Sequence, residues 1–179
     1  MNQNTSRYTS GAIAFHWVIA LLVIVNIGLA ILTEDLSKVE RGYYMDFHKA
    51  VGISILFLSL GRLIWRLTHK PPPLPATTPG WQRTVSKASH FLFYALIIGL
   101  PIGGWLWMST YPGNLVSYFG LFDVPALPVQ GQKALGDFLH EGHEIGGKVM
   151  IGLIVLHLGA VAKHHIIDKH NLLGRMLPG

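Results

Sequence analysis

Four histidines and one arginine have the types and spacing to do chemistry. His143 and His157 stand 14 residues apart in the segment HEIGGKVMIGLIVLH. At about 100° per residue, a helix brings the second histidine back to within roughly 40° of the first, and a rise of about 1.5 Å per residue sets them about 21 Å apart. One helix face then carries two imidazoles at two depths, with Gly146, Gly147, Met150 and Ile154 between them. His48 and Arg62 are also 14 residues apart, so a second helix presents a histidine at one depth and an arginine at the other. His16 is the fourth imidazole. Ionisable groups within a membrane span are costly and mark function. Each histidine taken alone reads equally well as a satisfied interior residue, so partners on other helices decide.

The elements that must position these groups are membrane helices. Half of the 179 residues are hydrophobic and 13% are charged, with mean hydropathy +0.40. That composition belongs to a small integral membrane protein. There is no cysteine, which excludes disulfides, iron–sulfur clusters, thiolate-ligated heme and covalent CxxCH attachment. The net charge of +5 does not indicate nucleic acid, because the basic residues flank apolar segments and form no patch with interleaved aromatics. The first apolar run is too long for a cleavable signal peptide and lacks a clear cleavage site. The pattern predicts helices over about 11–32, 45–67, 85–109 and 137–165. Thr9 or Ser10 would cap the first. A polar connector spans 33–44, and a stiff proline-rich one spans 69–80. Trp105, Trp107 and Tyr111 are expected at an interface, and the apolar loop 112–136 is expected to lie at the membrane surface as a lid. A short polar tail from residue 166 closes the chain. The expected architecture is all-α, a single-domain integral membrane four-helix up-down-up-down bundle over 1–179.

Four spans put both termini on one side. Nine basic residues fall on that side: Arg7, Arg62, Arg66, Lys70, Arg83, Lys87, Lys163, Lys169 and Arg175. The positive-inside rule then places both termini in the cytoplasm. Eight of the nine acidic residues, all but Asp168, fall at the other, outer end. Alternating helix direction sorts the histidines by depth, His16 with His157 at the inner level and His48 with His143 at the outer. Two axial imidazoles on facing helices are what a six-coordinate heme needs, so the pairs predict two hemes b per chain. Zinc is a poorer reading, since it wants three or four clustered ligands. A proton relay would prefer carboxylates, and the middle of the bundle has none. Arg62, at the inner level, is placed to pair with a heme propionate; the alternative is that it snorkels to the headgroups, as Arg66 does equally well. Gly52, Gly146 and Gly147 would let a flat macrocycle approach the backbone, or serve helix packing.

Several runs resemble the bacterial cytochrome b561 family of small diheme membrane proteins: Phe15-His16-Trp17, the His48 start of the second helix, RLIWR over 62–66, SHFLFY before GLPIGG, HEIGGKVMIGLIVLH followed by KHH, and the ending NLLGRMLP. The resemblance covers essentially the whole chain. It implies heme ligation at His16, His48, His143 and His157, location in the bacterial inner membrane, and electron exchange with quinone. It also implies, as one activity of the family, superoxide:ubiquinone oxidoreduction with superoxide as the outer donor. Such a donor is an anion, and Lys49, Lys133 and Lys148 are the local cations that could attract it; His140 stands one turn before His143. The competing reading is a heme b anchor subunit that docks a dehydrogenase or hydrogenase partner, with loop 112–136 as the dock. A third is a heme-binding structural or sensor protein without turnover. His90, Tyr94, His164 and His165 are the candidates for quinone contact.

Overall fold

The computed structural model describes residues 7–74, 78–169 and 173–177. Four long helices dominate: α1 (Ser10–Leu32), α2 (Lys38–Thr68), α3 (Gly80–Ser109) and α4 (Lys133–Ile166). All four are long and apolar enough to cross a membrane, and the chain is a four-helix membrane bundle. At about 1.5 Å per residue, the 31 to 34 residues of α2 and α4 exceed a hydrocarbon core of about 30 Å, so their ends project into the headgroups and water.

This projection explains where the helices begin. α2 starts at Lys38 and not near 45, because Ser37 and Glu40 form a capping box in which each side chain bonds to the other residue's backbone N–H. Most of the expected 33–44 connector is therefore helix. α3 begins at Gly80, directly after Pro79, and α4 at Lys133, each about four or five residues earlier than the apolar pattern indicates. At the start of α1, the Thr9 hydroxyl accepts from the Ala12 N–H at 3.4 Å.

Neighbouring helices in sequence pack side by side, and α4 reaches α1 and α2 through its histidine rings. Ile19, Val51, Ile55, Ile97 and Met150 form the buried centre. The outward faces are apolar: Leu21, Phe57, Phe91 and Leu156, one from each helix, are all more than 60% exposed, as lipid contact requires. α1 and α2 approach closely at Gly11, where a Cβ would stand 2.5 Å from the Trp65 ring.

The loop after α3 is more ordered than a surface lid. β1 (Val116–Tyr118) and β2 (Phe122–Val124) pair antiparallel. Phe119 and Gly120 take positive φ values of 53° and 74°, the signature of a primed hairpin turn. The hairpin packs Val116 and Val124 against Ile53 of α2, and the Tyr118 hydroxyl bonds to Ser54 at 3.1 Å. Trp105 donates to the Pro125 carbonyl at 3.0 Å.

The expected polar tail is also partly structured. Leu173–Arg175 form a 3-10 turn that docks on the start of α1. The Tyr8 N–H donates to Arg175 O at 3.2 Å, Trp17 Nε1 donates to Met176 O at 2.7 Å, and the Arg7 guanidinium donates to Leu177 O. Arg175 itself is buried and donates to Pro73 O at 2.9 Å.

Candidate functional site

The bundle brings the four histidines together as two pairs. His16 of α1 faces His157 of α4 with ring centres 6.5 Å apart and planes at 67°. His48 of α2 faces His143 of α4 at 6.1 Å, again at 67°. All four are half-buried. The hydrophobic centre, including Met150 of α4 and Ile55 of α2, lies between the two levels. Ser59, fully buried on the same α2 face as Arg62, leaves its hydroxyl without a partner.

The rings are held differently. His48 Nδ1 lies 3.1 Å from the Asn26 backbone carbonyl. When Nδ1 carries the proton it donates to that oxygen, which fixes the tautomer and leaves Nε2 as the electron-pair donor. His143 lies near the Leu100 carbonyl, short of hydrogen-bond geometry, and its Nδ1 is buried without a partner. Its position depends on Gly104 of α3, where a Cβ would stand 3.2 Å from His143 Cε1. His16 Nδ1 is likewise buried and unpartnered. Phe93 of α3 meets the His157 ring edge-on, with centres 5.4 Å apart.

Arg62 belongs to the level of His16 and His157, since its charge acts on both. It is half-buried, lies 5.5 Å from the centre of the Tyr94 ring, and makes no ion pair among the described residues. Arg66 stands 5.8 Å from the same ring. Of the quinone-contact candidates, His90 and Tyr94 sit with these arginines. His164 instead bonds to Asp168 at 2.7 Å. Hydrogen bonds to Asp168, from Lys163 first and then His164, hold its carboxyl below the usual carboxylate range. His165 is exposed.

Gly146 is a packing glycine, because a Cβ there would strike Leu100 at 2.6 Å; Gly147 meets nothing within 4 Å, and Gly52 meets only Asn26 Nδ2, at 3.9 Å. Trp107, near the end of α3, faces inward: it is half-buried, stacks on His140 at 4.4 Å and lies 6.2 Å from His143. Sequence reasoning gave Asn26 and Phe93 no role of their own, and connected neither Gly104, within GLPIGG, nor Trp107, expected at an interface, with His143. Asn26 carried a signal, as a lone amide in an apolar span. No three ligand-type side chains cluster among the described residues, so the pairs do not build a zinc site.

Comparison with known proteins places this architecture. The family model described as prokaryotic cytochrome b561 matches residues 7–179. The chain belongs to the prokaryotic cytochrome b561 family. It is 35% identical over 174 residues to cytochrome b561 homolog 2 of Escherichia coli (strain K12), covering 96% of this chain and 91% of that protein. Cytochrome b561 homolog 1 of the same organism is 28% identical over 97% of this chain and 98% of its own length. The probable superoxide oxidase CybB of Yersinia pestis is 28% identical over 96% of each. The chain is therefore a bacterial multi-pass membrane protein of electron transfer, and its family's cofactor is heme b.

Proposed function

We propose that the protein is a diheme cytochrome b that carries electrons between a donor at the hairpin end and the quinone pool. His16 and His157 would hold one heme b, and His48 with His143 the other. The observation that carries this reading is the spacing of the rings. With a metal–imidazole bond of about 2 Å and about 1.1 Å from each ring centre to its nitrogen, two imidazoles sharing one iron lie about 6 Å apart centre to centre. The separations of 6.5 and 6.1 Å match that distance. Bound heme supplies a one-electron couple whose potential follows axial ligation, nearby charge and burial.

The chain's own residues set those variables. Neutral imidazoles ligate, and the Asn26 carbonyl orients His48 through Nδ1. The Arg62 guanidinium faces the inner level, where it would pair with a propionate. Ile55 and Met150 exclude water between the levels. The excess of basic residues at the terminal end supports a reading with both termini in the cytoplasm and the protein in the inner membrane. His90 and Tyr94, beside Arg62, are the residues we assign to a quinone headgroup. Superoxide is the outer donor this reading favours, supported by the similarity to a protein named probable superoxide oxidase.

One observation favours a second reading, an electron-transfer subunit that docks a catalytic partner: the hairpin holds Leu121 at 77% and Phe122 at 58% exposure. The deciding experiment purifies the protein anaerobically, counts heme per chain, and mixes it with superoxide and with quinol. Two hemes and rapid reduction by superoxide, followed by quinone reduction, are expected. One heme per chain would end the diheme reading, and two hemes inert to superoxide but reduced by a co-purifying dehydrogenase would favour the subunit.

A further inference from the structure

Cations crowd the end of the bundle where the N-terminus, the proline connector and the C-terminal turn meet. A pocket of about 340 Å³ opens there, lined by Arg7, Arg62, Trp65, Arg66, Lys70 and Tyr94 among others. None of the described residues that line it is Asp or Glu. The guanidinium groups of Arg62 and Arg66 share the Tyr94 ring at 5.5 and 5.8 Å, and each charge acts against the other. Neither meets a described carboxylate, whereas Lys49, Lys133, Lys148 and Lys163 all do, at 2.6 to 2.7 Å. Two half-buried like charges side by side need an anion to offset their desolvation and repulsion. A propionate at Arg62 and a quinone headgroup at His90 and Tyr94 would still leave Arg66, Arg7 and Lys70 without a described carboxylate beside them.

We propose that this pocket binds the phosphodiester headgroup of an anionic phospholipid from the adjoining leaflet. Guanidinium forks match phosphate oxygens in pairs, and basic pockets between transmembrane helices on the cytoplasmic side hold such headgroups. The position suits a lipid better than a soluble phosphate. Ala12, Trp65, Pro72 and Met176 line the same pocket beside the cations and give an acyl chain an apolar wall. The rim is preorganised: Trp65 Nε1 donates to the Thr9 hydroxyl at 3.0 Å, and Arg175 donates to the Pro73 carbonyl at 2.9 Å. The site requires the membrane placement and is independent of the histidine assignments.

The test titrates phosphatidylglycerol and phosphatidylcholine into the detergent-released holoprotein and counts bound lipid by native mass spectrometry. The parent should prefer phosphatidylglycerol. Arg66→Gln should weaken that binding about fivefold, the loss expected for one basic residue near anionic lipid, while Lys87→Gln, an exposed cation away from the pocket, should change it little. No preference in the parent, or equal weakening by Lys87→Gln, overturns the site. Competition by millimolar inorganic phosphate overturns the lipid source, because a soluble phosphate then satisfies the same cations. An Arg66→Gln variant with altered heme potential but unchanged lipid binding assigns the pocket to propionates alone. If Arg66→Gln does not accumulate, Lys70→Gln, on an exposed side chain, is measured in its place, and unchanged binding there overturns the proposal.

Discussion

At the hairpin end, Lys49, Lys133 and Lys148 each bond to a carboxylate three or four residues away, Asp46, Asp137 and Glu144. Opposite charges cancel in pairs along each helix, and the hairpin covers part of α2. At the terminal end, Arg62 and Arg66 stand over one tyrosine ring with no described carboxylate beside them. The histidine pairs resemble each other far more closely, at 6.5 and 6.1 Å and the same 67°. Two similar histidine pairs thus sit in dissimilar fields. On the proposed diheme reading, ring geometry would set what binds, and surrounding charge would set which heme holds the electron more tightly.

The largest effect tests the sorting of histidines by level. His16→Ala and His157→Ala should each remove the same heme, and His48→Ala and His143→Ala the other, leaving about half the parent's heme in every variant when an axial ligand is essential. Heme assays with redox titration check this. Matching residual spectra and potentials for His16→Ala and His48→Ala would break the pairing.

Arg62→Gln should sharpen the contrast of fields. A positive charge near the iron favours the reduced form, so removing it should lower the inner potential. The drop should be roughly 40–90 mV, equivalent to about 1–2 kcal/mol for one electron. The outer potential should move much less. Equal shifts at both hemes in a potentiometric titration would contradict the placement of Arg62.

Gly104→Ala probes the hairpin-end pair alone. The added Cβ would crowd His143 Cε1 at 3.2 Å, so the ring must shift by a few tenths of an ångström. Loss of ligand orientation should weaken retention of the outer heme by about tenfold, with the inner heme unchanged. Heme dissociation into apomyoglobin, followed spectrally, reads both. Parallel loss of both hemes would mean that Gly104 supports only general packing of α3 against α4.

The 14-residue spacings made the depth sorting legible, because helix geometry converts sequence separation directly into face and level. Helix number followed from apolar runs for the same reason. Helix starts did not, since hydropathy reports the lipid boundary while Ser37 and Glu40 cap α2 beyond it; the S-x-x-E signature was nonetheless present in the sequence. The docking of Leu173–Arg175 on Tyr8 joins opposite ends of the chain, and no local pattern reports such a contact. Trp107 looked like an interface residue because its neighbour His140 lies on another helix.

The smallest effect concerns the paired lysines. A superoxide anion nearing the hairpin end meets a surface whose cations already bond to carboxylates, so its steering should be weak. Lys148→Gln removes one cation and frees Glu144 from a 2.6 Å contact, leaving a net negative charge on the residue next to His143. Reduction by superoxide should then slow by about two- to threefold at low salt. Screening acts over about 8–10 Å near physiological ionic strength, so added salt should close the gap. Reduction by a neutral quinol should not respond to either change. The double variant Lys148→Gln/Glu144→Gln restores neutrality and should recover most of the parent rate in stopped-flow measurements. If the parent is slow, speeds up with salt and ignores both substitutions, the surface repels the anion, and a docked protein donor becomes the better account of the hairpin end.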